Sequence, residues 1–127
     1  MPQPLDALTQ SLLSAAKRAG ADAADAMAVQ GTSVSIDVRA GALEHAERSE
    51  GIDLGLRVFV GQKVANVSAS DTSARTIDEM AQRAVAMAQE APDDPYAGLA
   101  DPSQLIADWD IDALELHDAT PEPAPET

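Results

Sequence analysis

Side chains that could support metal or nucleophilic chemistry are few and scattered in this sequence. His45 lies between Glu44 and Glu47, and His117 precedes Asp118, but neither histidine has a second histidine at ligand spacing. Zinc needs three or four converging ligands, and the helical HExxH pattern that supplies two of them does not occur. The sequence also has no cysteine, which excludes thiolate zinc sites and disulfides. We therefore predict no catalytic residue and no metal ligand in this chain.

Other residue types that often carry chemistry are better explained structurally. The run from Gly55 to Gly61, GLRVFVG, lacks the GxGxxG pattern and the trailing Lys-Ser of phosphate-binding loops. Ser68 and Ser70 have no neighbouring base that would activate a nucleophile, so they are interpreted as strand-end and cap residues. Several aspartates towards the carboxyl end do not follow EF-hand spacing and are interpreted as a solvated acidic segment. They are Asp93, Asp94, Asp101, Asp108, Asp110 and Asp112.

The acidity of the chain is unevenly distributed. The formal net charge is -14, from 22 acidic and 8 basic residues. The segment from Pro92 to Thr127 holds 10 of the acidic residues and none of the basic ones. Apart from Pro2 and Pro4, every proline also lies in that segment. We therefore predict a folded domain over residues 1–91 and an acidic, proline-rich tail or linker over residues 92–127, with ATPEPAPET at its end disordered or a linker.

A β-hairpin is the clearest structural prediction. From Ile52 to Val60, apolar residues alternate with others in the two-residue period of a half-buried strand. Gly61 and Gln62 suit a type II′ turn into a second strand from Lys63 to Ser68, because glycine tolerates positive φ. Leu56 and Val58 are expected to be buried beneath helices.

Helices are predicted on both sides of the strands. Apolar residues recur at three- and four-residue steps from Leu5, and Gly20 is a plausible cap for that helix. A second apolar stripe begins near Ile77 and ends before Pro92. Between the first helix and the hairpin, two more strands are predicted over 26–39 and 43–49, the first with Val34, Ile36 and Val38 on a buried face. The order helix, four strands, helix predicts an α+β fold, an antiparallel four-stranded sheet with two helices packed on one face.

The polar strand over 43–49 is the candidate binding element. Its charges suit an edge position, where an extended peptide can add to the sheet through main-chain hydrogen bonds. Charges on an edge also serve to block such pairing, and the sequence leaves both interpretations open. The residues concerned are Leu43, Glu44, His45, Ala46, Glu47, Arg48 and Ser49.

Four stretches together resemble a known family. They are GADAADA after the first helix, GLRVFVGQKVANVSASD, QRAVAMAQEAP and DDPYAGLAD. In this order and spacing they are similar to the N-terminal domain of the TldD/PmbA metallopeptidase family, in its PmbA (TldE) branch, over about Leu5 to Asp118. The resemblance implies a cytoplasmic protein whose relatives pair as TldD and TldE and cleave peptides or small unfolded proteins.

The resemblance also implies where the chemistry lies. In the family the zinc site belongs to the C-terminal domain of the TldD-type partner, so no cofactor is expected in this chain. The expected partners are a TldD-type subunit and a peptide or unfolded protein. The resemblance further implies that the tail leads to a C-terminal domain absent from this chain. The N-terminal domain is then expected to be a scaffold or substrate-channel domain without activity of its own.

Two other classes of function are considered. A stand-alone acidic adaptor or regulatory domain, unrelated to proteolysis, would also explain an acidic Pro-Glu end. An acidic DNA mimic is a weaker interpretation, because mimicry needs carboxylates fixed on a rigid face. The sequence predicts no nucleic-acid binding. It also predicts no membrane association, since neither a signal sequence nor a run of about 20 apolar residues occurs.

Overall fold

The computed structural model describes residues 3–127. The described chain divides into two compact units, one of residues 3–32 with 50–99 and one of residues 33–49 with 100–127. Neither helix of the structure is long and apolar enough to cross a membrane. The elements are α1 (Leu5–Ala19), β1 (Ala23–Arg39), β2 (Ala42–Val60), β3 (Lys63–Ala69), α2 (Ala74–Glu90) and a 3-10 turn (Pro102–Gln104).

The sheet has three strands, in the order β1-β2-β3, and the prediction of four strands is wrong. The segments predicted as separate strands over 43–49 and 52–60 are one continuous strand, β2. Gly51 lies between the two segments predicted as separate strands, and it is not among the glycines with positive φ. Glycine permits a turn but does not impose one, and here the long partner β1 keeps the backbone of β2 extended. The α+β class is correct.

Both turns of the sheet are two residues long. Ala40 and Gly41 join β1 to β2 with φ angles of 51° and 77°. Positive φ at both central positions is the signature of a type I′ turn. Gly61, with φ of 60°, opens the turn into β3, whose ladder with β2 runs from Val60 opposite Lys63 to Leu54 opposite Ala69. The predicted hairpin is confirmed.

The core lies between the sheet and the two helices, within the first unit. Leu54, Leu56 and Val58 are 1%, 2% and 0% exposed, as the alternation of β2 predicts. They belong to one buried cluster with residues of α1 and α2, such as Leu12 and Met80. The prediction that Leu56 and Val58 lie beneath two helices is therefore confirmed.

Helix ends follow the local sequence. Gly20 ends α1 in the left-handed conformation, with φ of 106°, and its N–H donates to the carbonyl of Lys17. Ser73 begins α2 by accepting a hydrogen bond from the Thr76 N–H. Asp71 supports this cap, because its carboxylate accepts from the Ser73 N–H at 2.9 Å and from the Thr76 hydroxyl at 2.8 Å.

One predicted buried face is exposed. Val34, Ile36 and Val38 of β1 were expected to be covered, but they are 45%, 38% and 64% exposed. They lie in the second unit, whereas every residue of the buried cluster lies in the first. Alternation indicated a strand here correctly, but it could not show whether anything in this chain covers its apolar side.

Candidate functional site

The predicted binding segment Leu43–Ser49 lies at the start of β2, next to the Ala40–Gly41 turn. It is not a separate edge strand, because β2 is the central strand of the sheet. However, β3 pairs with β2 only from Leu54 to Val60. In the part of the chain that the structure describes, the segment therefore has a paired strand only on its β1 side. Its other side is a backbone edge, which we call the β2 edge.

Charged side chains of the β2 edge form exposed ion pairs within the second unit. Arg39 donates to Glu44 at 3.3 Å, and His45 Nε2 lies 3.6 Å from Glu47 Oε2. Arg48 donates to Glu122 at 3.3 Å. The side chains of these pairs are 49% to 81% exposed. Such pairs contribute little to stability because water screens them, so their charges can be re-paired at small cost.

A second surface lies on the face of the sheet opposite the helices, within the first unit. Gly55 and Arg57 of β2 alternate with the buried Leu54 and Leu56 and so point to that face. Ser68 and Asn66 of β3 stand opposite them in the ladder. Together with β1 they line a concave depression of about 530 Å³, which we call the sheet-face groove. Its further lining residues are Asp25, Ala26, Met27, Leu56 and Val67.

An ion pair borders the sheet-face groove. Arg57 Nε donates to Asp25 Oδ1 at 3.0 Å, and Arg57 Nη2 donates to Asp25 Oδ2, which makes the pair bidentate. This hydrogen-bonded carboxylate raises the pKa of Arg57. The guanidinium carbon of Arg57 also lies 5.3 Å from the centre of the Phe59 ring, within reach of a cation-π contact. Arg57 is thereby held in place and carries its charge at any physiological pH.

The sheet-face groove was not found from the sequence. The first strand was predicted to begin at residue 26, whereas β1 already begins at Ala23 and so includes Asp25. Two signals were available: Gly55 interrupts a strand, which often marks close backbone or ligand approach, and Arg57 stands on the non-core face. At Gly55 an added Cβ would lie 4.0 Å from Met27, so the glycine leaves the groove open.

The two histidines do not form a site together with other ligands. Among residues 3–127, no group of three or more His, Cys, Asp or Glu could hold a metal ion. His45 stands on the β2 edge, while His117 lies beside Trp109 and Asp112 in the second unit. What these surfaces offer is main-chain pairing at the β2 edge and polar and apolar contacts in the groove.

Comparison with known proteins identifies the family. Residues 24–88, which comprise nearly all of the sheet and most of α2, match a family model described as PmbA/TldA metallopeptidase domain 1. The chain belongs to the PmbA/TldD family. A metalloprotease PmbA homolog of Haemophilus influenzae is 38% identical over 105 residues, which are 82% of this chain and 22% of that protein. Metalloprotease PmbA of Escherichia coli O157:H7 is 29% identical, over 81% of this chain and 23% of its own length.

Solved structures share the fold. A candidate modulator of DNA gyrase from Bacteroides thetaiotaomicron has a TM-score of 0.75 at 17% identity, over 83% of this chain and 24% of that one. TldE from Thermococcus kodakarensis has a TM-score of 0.65 at 16% identity, over 89% of this chain and 25% of its own. The chain thus spans about a quarter of the length of the curated relatives and of the solved structures that it matches.

Proposed function

We propose that this chain is the N-terminal scaffold and substrate-channel domain of a PmbA (TldE)-like subunit. In this proposal the subunit pairs with a TldD-type partner in a cytoplasmic zinc metallopeptidase that cleaves peptides and small unfolded proteins. The observation that carries the proposal is the match of residues 24–88 to the first domain of the family. The fold shared with TldE from Thermococcus kodakarensis supports the choice of branch.

The β2 edge supplies a physical means of contacting a substrate. An extended peptide laid beside Leu43–Ser49 can add to the sheet through main-chain hydrogen bonds, on the side of β2 where the pairing with β3 covers only Leu54 to Val60. Main-chain pairing makes little demand on the side chains of the peptide, which suits an enzyme acting on unfolded chains. We propose that the β2 edge takes up the peptide and that the partner supplies the reaction.

The first test follows peptide binding residue by residue. An unfolded peptide is titrated into the uniformly nitrogen-labelled chain, and backbone amide shifts are recorded by NMR. We expect shifts along Leu43–Ser49. The matched control is the same peptide with every second amide N-methylated, because methylation removes main-chain donors and leaves the side chains unchanged. Equal shifts with both peptides, or none on the segment, would contradict main-chain recognition at the β2 edge.

A second test addresses the division of labour. We propose that zinc resides only in the TldD-type partner and that residues 92–127 lead from the domain of residues 1–91 towards a C-terminal domain. The isolated chain should then neither retain stoichiometric zinc nor cleave peptides, whereas the full-length protein mixed with its TldD-type partner should do both. Metal-dependent cleavage by the isolated chain would overturn this assignment. Failure of the full-length protein to associate with the partner would overturn the proposed pairing.

A further inference from the structure

The β2 edge has a charge pattern that a peptide of arbitrary sequence does not require. Leu43–Ser49 reads LEHAERS, and Glu44 and Arg48 carry opposite charges at equal distances on either side of Ala46. If a second copy of the segment is laid antiparallel with Ala46 opposite Ala46, Glu44 faces the Arg48 of the other chain. In the same register His45 faces Glu47. Symmetry repeats each contact, which gives two Glu44–Arg48 ion pairs and two His45–Glu47 contacts, in which the imidazole N–H donates to the carboxylate.

We propose that the β2 edge binds the β2 edge of a second copy of this chain, about a two-fold axis at Ala46. At the level of Leu43–Ser49 the result is a continuous four-stranded sheet, with β1 and β2 of one copy beside β2 and β1 of the other, because β3 pairs with β2 only from Leu54 to Val60. A two-fold contact of this kind is isologous, because the same surface serves on both copies. It also removes an exposed strand edge, which proteins otherwise protect by other means.

Neighbouring two-fold registers are less favourable. An axis at Glu47 places Glu47 against itself and Glu44 against Glu50. An axis at His45 places His45 against itself and produces no pair of opposite charges. Like charges directly opposite one another in a sheet are destabilising, whereas opposite charges are stabilising. The register at Ala46 is therefore selected by charge, and its central residue is small enough to meet its own copy.

The contacts that these side chains make within the chain do not prevent the pairing. Glu44 contacts Arg39 and Arg48 contacts Glu122, each at 3.3 Å, and all four side chains are about half exposed or more. Ion pairs this exposed are exchanged readily. In the dimer, Arg48 can lie between Glu122 of its own chain and Glu44 of the other copy.

A charge exchange tests the register. Each of the variants Glu44→Arg and Arg48→Glu places like charges in both symmetric pairs. At a concentration where the unaltered chain is half dimeric by sedimentation velocity, we expect each variant alone to be monomeric. An equimolar mixture of the two variants should restore dimers, because both pairs are then complementary. Arg83→Glu, the same charge change on the exposed side of α2, should leave dimerisation unaltered.

A cross-link tests the axis. The chain has no cysteine, so Ala46→Cys introduces a single thiol. Directly opposed residues in antiparallel strands have Cα atoms about 4.5 to 5.5 Å apart, which a disulfide can span. Mild oxidation should convert most of this variant to a covalent dimer. The control is Ala86→Cys, exposed on α2, which should yield at least tenfold less covalent dimer in the same time.

Three outcomes would overturn the proposal: a monomeric unaltered chain at millimolar concentration, no recovery of dimers in the variant mixture, or equal cross-linking at both cysteine positions. This inference rests on the proposed function only because both assign a binding role to the β2 edge. A peptide and a second copy of the chain should therefore compete for the β2 edge. A monomeric chain whose Leu43–Ser49 amides shift with peptide would remove this inference and leave the proposed function intact. A dimer whose Leu43–Ser49 amides do not shift with peptide would remove the proposed peptide contact and leave this inference intact.

Discussion

At the scale of single residues, two aspartates organise the start of the sheet. Asp22 accepts a hydrogen bond from the Gly61 N–H at 2.7 Å, and its own N–H donates to the Phe59 carbonyl at 2.9 Å. Asp25 holds Arg57. The sequence could not reveal these pairs, because 32 or more residues separate the partners and no local pattern links them. Core residues such as Leu56 were predictable, since alternation alone assigns their face.

Replacing Leu56 by alanine tests the core directly. Leu56 is 2% exposed and belongs to the cluster shared with both helices. Leu56→Ala should lower the free energy of unfolding by about 2 to 5 kcal/mol, because it removes buried methyl groups and leaves a cavity. The matched control is Met27→Ala, since Met27 is 65% exposed on the other face. Urea titration measures both, and a loss below about 1 kcal/mol for Leu56→Ala would contradict the packing.

The carboxylate of Asp71 gives a prediction about pH. The Ser73 N–H, and then the Thr76 hydroxyl, lower the pKa of Asp71 by donating to its charged form. A carboxylate with a depressed folded pKa stabilises the fold above its unfolded pKa of about 3.9, and this contribution is lost as pH falls through the folded pKa. NMR titration of the Asp71 carboxyl carbon should therefore show a midpoint below about 3.9.

The lowered pKa of Asp71 also predicts how the stability of the chain changes with pH. Between pH 5 and pH 3 the unaltered chain should lose more stability than Asp71→Asn, which has no carboxylate to protonate. Urea midpoints at the two pH values provide the comparison. A midpoint for the Asp71 carboxyl at or above about 3.9, or equal losses in the two proteins, would show that the cap does not favour the charged form.

At the scale of elements, helix and strand ends were predicted correctly where two independent sequence signals indicated the same boundary. The end of α1 combines basic residues in its last turn with Gly20, and the hairpin combines alternation with Gly61. The strand count was wrong at Gly51, which lies between two segments predicted as separate strands, because the backbone continues through it as one strand. The exposed β1 residues show a further limit, because alternation marks an apolar face without saying what covers it.

The turn between β1 and β2 contains a strained residue. Ala40 has φ of 51°, where an L-residue with a Cβ is disfavoured by about 1 to 2 kcal/mol. Glycine loses this strain but about 0.5 to 1 kcal/mol more in conformational entropy. Ala40→Gly should therefore stabilise the turn by a few tenths to about 1 kcal/mol, seen as slower amide hydrogen exchange over residues 33–49.

The neighbouring glycine provides the opposite change. Gly41 also has positive φ, of 77°, and an added Cβ there would meet nothing within 4 Å. Gly41→Ala should therefore destabilise the turn through backbone strain alone, and exchange over residues 33–49 should be faster. Faster exchange in Ala40→Gly, or slower exchange in Gly41→Ala, would contradict the type I′ assignment.

At the scale of the whole molecule, the boundary indicated by composition differs from the boundary between the two compact units. Charge and proline content change near Ala91, whereas the first unit continues to Leu99, with Asp94 donating to the Gln62 carbonyl at 2.8 Å. The division of the hairpin arm, residues 33–49, from the rest of the sheet could not be predicted, because it depends on contacts that are distant in sequence. The family relation was predictable, since four separate stretches carried it in order.

Removing Thr120–Thr127 tests how far the acidic end contributes to stability. The buried core belongs entirely to the first unit, and the deleted residues are all exposed. The deletion removes the contact of Glu122 with Arg48, whose side chains are each 49% exposed, and a surface pair of this kind contributes about 0 to 1 kcal/mol. Calorimetry should therefore show the main transition, which reports the core of the first unit, within a few degrees of that of the unaltered chain. Glu122→Gln, which removes only the charge, should match the deletion. A drop of several degrees in the deletion but not in Glu122→Gln would mean that the backbone of this segment supports the core.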